Sequence, residues 1–76
     1  RNIKVFPNPA NDLLNIQFNS HENCLLEINS LNGQMVYNGE MEGTTHQVDI
    51  SSFPKAIYFI TIRSKDFVIS KKIIKL

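Results

Sequence analysis

The stretch Ala56-Ile57-Tyr58-Phe59-Ile60-Thr61-Ile62 constrains this chain most, because it is an almost unbroken run of β-branched and aromatic side chains. Such residues lose little on a pleated backbone and pack well there. With a side-chain period of two, Tyr58, Ile60 and Ile62 fall on one face and Ile57, Phe59 and Thr61 on the other. Both faces are largely apolar. The run therefore reads as a central strand covered on both sides, with the other strands packed around it.

Shorter alternating runs surround it. Ile3-Lys4-Val5-Phe6 forms a strand that stops at Pro7-Asn8-Pro9, where each proline lacks an N–H and restricts the residue before it. That tripeptide is expected to run extended as a stiff corner, and Asn11-Asp12 to turn the chain into the next strand. Leu14, Ile16 and Phe18 alternate with Asn15 and Gln17, the signature of a half-buried strand. Residues 19–23 are polar and read as a loop that includes Ser20 and His21. Cys24, Leu26 and Ile28 then share one face of a third strand.

Asn32-Gly33 is the strongest hairpin signal, and predicts a type I′ turn with φ > 0 at both central residues. The returning strand is read over 34–38, followed by a polar connection over 39–45. His46 to Ile50 is a further strand with Val48 and Ile50 inward. Ser51-Ser52-Phe53-Pro54-Lys55 is a corner in which Phe53 plugs the end of the core. After a polar turn at Ser64-Lys65-Asp66, Phe67 to Leu76 closes the chain as the last strand.

Seven short strands at spacings of roughly 8–12 residues, with no helical period, predict an all-β fold. The expected architecture is an immunoglobulin-like antiparallel β-sandwich. The length of 76 residues fits a single domain without a deep cleft. A formal charge of +1 is too small to argue for a nucleic-acid footprint, which needs a clustered basic face. No apolar run reaches the roughly 18 residues of an integral membrane segment. With no Met at its start, the chain reads as a piece of a longer protein.

Candidate chemistry is sparse. Cys24 is the sole cysteine and reads as a small buried apolar residue, since no base accompanies it. His21 and His46 lack metal-ligand spacing. Asp12 and Asp49 are not part of a calcium loop; Asp12 reads as a turn former and Asp49 as a partner for nearby backbone N–H groups. Ser51-Ser52 has no nucleophile elbow. Tyr58 is expected to bury its ring and give its hydroxyl to a backbone carbonyl at a corner. No catalytic residue, cofactor or metal is expected.

Four motifs carry a family resemblance. Phe6-Pro7-Asn8-Pro9-Ala10-Asn11-Asp12 resembles the (Y/F)-P-N-P-A-x-D opening of the type IX (Por) secretion C-terminal sorting domains. Asn29 to Val36, with Asn32-Gly33, is similar to their mid-domain hairpin. Val48-Asp49-Ile50-Ser51-Ser52-Phe53 followed by Ile57-Tyr58-Phe59-Ile60 resembles the motif around their central strand. Lys71-Lys72-Ile73-Ile74-Lys75-Leu76 resembles their basic and apolar tail. The departure is Ala56, where the family usually has glycine; a left-handed conformation there would be strained for alanine, unless the corner adjusts.

The resemblance implies a C-terminal sorting domain, spanning 1–76, on a longer cargo protein of Bacteroidota. It implies recognition in the periplasm by type IX outer-membrane components, passage across the outer membrane, and cleavage by a sortase-like peptidase. The cargo would end at the cell surface or outside the cell. The tail, Lys71, Lys72, Ile73, Ile74, Lys75 and Leu76, is the candidate address: an edge strand offers free backbone groups to a receptor, and its lysines suppress unwanted pairing. Removing the tail is expected to abolish export and leave synthesis intact. Free strand edges also admit pairing between copies of the chain. The competing expectation is an adhesion or carbohydrate-binding sandwich, which exposed aromatics aligned on one sheet face would favour.

Overall fold

Alternating apolar residues and the turn residues between them place seven strands: β1 (Ile3–Phe6), β2 (Leu13–Phe18), β3 (Cys24–Ser30), β4 (Met35–Met41), β5 (Thr45–Asp49), β6 (Ala56–Arg63) and β7 (Val68–Lys75). They are seen in a computed structural model that describes residues 2–19 and 22–76. Arg1, Ser20 and His21, and with them the readings made of the last two, lie outside the described residues. All strand pairs are antiparallel. They build a three-stranded sheet of order β1-β2-β5 and a four-stranded sheet of order β4-β3-β6-β7.

The core lies between the sheets. Leu14, Ile16 and Val48 meet Leu26, Ile28, Met41, Ile60 and Ile62, each almost fully enclosed. An edge-on pair of Phe18 and Phe67, 5.6 Å between centroids, and a tilted pair of Phe53 and Tyr58 at 5.4 Å lie toward opposite ends of β6. This is the expected sandwich, and its inner residues follow the period of two read from the sequence.

Three expectations are corrected. First, β6 is central only within its sheet. Its inner face is buried, but Phe59 on the outer face is 39% exposed, because a two-layer sandwich has no third layer to cover it. Second, the β3–β4 hairpin turns through three residues, not two. Gly33 N–H donates to Ser30 C=O at 3.0 Å and Ser30 N–H to Gln34 C=O at 2.9 Å. Within this turn Gly33 alone takes positive φ (+87°), the pattern of a type I turn followed by a left-handed glycine. Asn32 serves instead as an acceptor, for the Ser30 hydroxyl and the Gln34 N–H.

Third, β4 does not stop at residue 38. A bulge opposite Ile28/Asn29 shifts its register, and Tyr37 and Met41 then turn inward, with Met41 completely buried. Gly39, between them on the same face, leaves room for the Tyr37 ring to lie along the strand. A Cβ at Gly39 would sit 2.5 Å from the Tyr37 hydroxyl oxygen. That hydroxyl reaches across to His46 Nε2 at 3.0 Å and ties β4 to β5 of the other sheet.

Candidate partner-binding edge

The closing strand alternates like the others. Ile69, Lys71, Ile73 and Lys75 share the inner face with their partners Ile62, Ile60, Tyr58 and Ala56 on β6. Val68, Ser70, Lys72 and Ile74 face out. Ile73 is buried in the core. Of the three lysines, Lys72 is exposed and Lys71 half-buried. Lys75 is 8% exposed, and its Nζ donates to the Leu76 carbonyl at 2.8 Å. Lys75 therefore does not offer its charge at the surface as the tail reading expected; the inward phase of odd-numbered positions decides this. Leu76 is exposed. No acidic residue occurs in β7, so its positive charge is not balanced within the strand.

The four-stranded sheet ends at β7. Its outer margin is divided. Asn8 Oδ1 accepts from the Ile74 N–H at 2.9 Å, and Asn8 Nδ2 donates to the Lys72 carbonyl at 3.0 Å. Ala10 N–H donates to the Ile74 carbonyl at 2.8 Å, and Ala10 C=O accepts from the Leu76 N–H at 2.9 Å. Ala10 and Lys75 thus form a parallel bridge. The segment from Asn8 to Ala10 acts as one more, very short strand, with the Asn8 carboxamide standing in for a peptide group. Backbone groups of an antiparallel strand point to alternate sides. Lys72 C=O, Ile74 and Leu76 N–H define the outward set, so the N–H and C=O of Val68 and Ser70, and the N–H of Lys72, face the same margin, with no strand beyond them among the described residues.

Pro7 and Pro9 are exposed on either side of this contact, and both X–Pro bonds are cis. The corner is more than a spacer: it docks on β7. Sequence reasoning missed that contact, which spans 64 and 66 residues. One local signal existed. Two prolines without N–H groups leave the Asn8 side chain as the segment's most versatile hydrogen-bonding group.

The remaining singled-out residues are structural. Tyr58 is buried, and its hydroxyl donates to the Pro54 carbonyl at 2.6 Å. Asp49 Oδ1 accepts from the Ser51 N–H at 2.9 Å. Hydrogen bonding from the Ser51 side chain and backbone holds the Asp49 carboxyl below the usual carboxylate range. The Asp12 carbonyl accepts from the Ile50 N–H at 2.8 Å. Cys24 is buried, and desolvation, aided by the Glu22 charge, pushes its thiol pKa up, away from a nucleophilic thiolate. Ala56 needs no left-handed backbone, since glycines alone take positive φ among the described residues; it opens β6 opposite Lys75. The two exposed phenylalanines, Phe6 and Phe59, belong to different sheets and make no aromatic row.

Among solved structures, the fold is similar to an immunoglobulin-like β-sandwich protein of the DUF3244 family from Bacteroides vulgatus. The TM-score is 0.85 at 20% identity, over 97% of this chain and 84% of that one. No curated protein matches the sequence. Residues 4–76 match the family described as the secretion system C-terminal sorting domain.

Proposed function

Because the chain belongs to the family of type IX secretion C-terminal sorting domains, we propose that it is a non-catalytic address at the end of a longer cargo protein, read at β7. The domain engages outer-membrane components of the secretion machinery from the periplasmic side. A sortase-like peptidase then separates it from the cargo, which stays at the cell surface or is released. The observation that carries this reading is the position of β7. It lies at the end of its sheet, with basic side chains and an open backbone margin over Val68–Lys72. A receptor can add a strand there, with backbone hydrogen bonds supplying affinity and Lys71 and Lys72 supplying charge selection.

The test fuses residues 1–76 to a reporter in a host with a type IX machine and in the same host lacking it. Surface or extracellular reporter in the first host alone is the expected result. Equal export from both would overturn the reading. Deleting the whole tail is a poor control, because it removes Ile73 from the core together with the address. Lys72→Glu is better: the side chain is exposed, and its reversal is expected to abolish export from a folded domain.

A further inference from the structure

The hydrogen bonds along the closing strand contain an internal competitor for its partner. The two bonds made by the Asn8 carboxamide, one accepted from Ile74 N–H and one donated to Lys72 C=O, are those an added strand would make with the same groups. Asn8 is exposed, whereas Ala10 is completely buried. The Asn8 side chain can therefore swing away by rotation about its own bonds, while Ala10 stays fixed on Ile74 C=O and Leu76 N–H.

We propose that Asn8 is a displaceable gate on the strand-addition site of β7, and that Ala10 is its fixed stop. The inference rests on the reading of β7 as the address. The occupant is an extended, acidic segment of the export machinery. It seats first on the open groups of Val68, Ser70 and Lys72. It then takes over Lys72 C=O and Ile74 N–H as Asn8 leaves, and ends against Ala10. Charge selects this occupant: β7 carries Lys71 and Lys72 along the free half and no acid. A second copy pairing through β7 would set lysines against lysines, which disfavours it. The gate keeps the far half of the margin satisfied until a matched strand arrives, a way of limiting edge-to-edge pairing.

Two substitutions act on the margin in opposite directions. Asn8→Ala removes both gate bonds and leaves the bonds of Ala10 in place. Ser70→Pro deletes an outward donor and sets a ring on the open margin without removing a backbone hydrogen bond to β6; it gives up the exposed contact between the Ser70 and Thr61 hydroxyls, 3.1 Å apart. In hydrogen exchange of the folded chain, Asn8→Ala should speed the Ile74 amide by about ten-fold or more, the expected effect of losing its acceptor, and leave Leu76 unchanged. In the reporter fusion, Asn8→Ala should export at or above the unmodified level, and Ser70→Pro should fall to background with its cooperative unfolding retained.

Loss of export by a folded Asn8→Ala chain would overturn the proposal, since Asn8 would then be read directly. Unmodified export by Ser70→Pro would overturn it too, as would self-association of the unmodified chain, in sedimentation, that Ser70→Pro abolishes. If Ser70→Pro fails to fold, the exchange and export of Asn8→Ala decide alone. An unmodified fusion that is never exported defeats the address reading itself, a result distinct from an exported fusion indifferent to both substitutions.

Discussion

Ile73→Ala separates the structural share of the closing strand from its proposed role as an address. Ile73 is 2% exposed and pairs with the buried Tyr58. Truncation removes three carbons from the core, a transfer loss of roughly 2.4 kcal/mol at about 0.8 kcal/mol per buried methylene. A residual cavity raises this toward about 3–4 kcal/mol, within the range for isoleucine-to-alanine changes in cores. Total stability for 76 residues is on the order of 4–11 kcal/mol. One substitution thus removes a large fraction of it. For a domain of this size about 1 kcal/mol shifts Tm by ~4–8 °C, so a fall of roughly 10–30 °C is expected. Lys72, one residue away, is exposed, and its reversal to glutamate should change stability by no more than about 0.5 kcal/mol. Thermal unfolding by circular dichroism reads the first effect, and reporter export reads the second. If Ile73→Ala moved Tm by less than about 3 °C, β7 would not be sealing the core, and the argument that tail deletion confounds folding with recognition would fail.

Further outcomes follow from single contacts. Gly39→Ala should lower stability by roughly 1 kcal/mol by driving the Tyr37 hydroxyl off His46, yet should be neutral or stabilising in a Tyr37→Ala background, where alanine orders the strand better than glycine; the same penalty in both backgrounds would refute the steric account. Tyr58→Phe should cost about 0.5–1.5 kcal/mol, the loss of one hydrogen bond with the ring kept in place, and chemical denaturation would show it as a shifted midpoint at constant slope. Asp49 has a folded pKa below its unfolded value, so its contribution is present above about pH 4 and is lost as pH falls through the folded pKa. Asp49→Asn should therefore reduce the dependence of Tm on pH below about pH 4, and an unchanged acid limb would show that the Ser51 contact does not matter.

The period of two alone identified β2, β3 and the inward faces of β5 and β6, since burial of alternate side chains is written into local order. Turn residues marked their boundaries, and four short motifs pointed to the sorting family. Other features were local but ambiguous. Asn32-Gly33 announced a hairpin without fixing its length, because the left-handed glycine serves a three-residue loop as well as a two-residue one. Gly39 read as a connection, because its reason for being glycine is the Tyr37 ring lying over it.

What the tertiary structure alone decided is how the ends of the chain meet. The tail's lysines look alike in sequence, but the phase of β7 against β6 buries Lys75 and exposes Lys72. The proline-flanked Asn8 looks like a spacer, but it lies on Lys72 and Ile74, 64 and 66 residues away. Strand periodicity is a property of neighbours along the chain, whereas the partner of a strand's outer margin depends on which segment the assembled sheets bring alongside it.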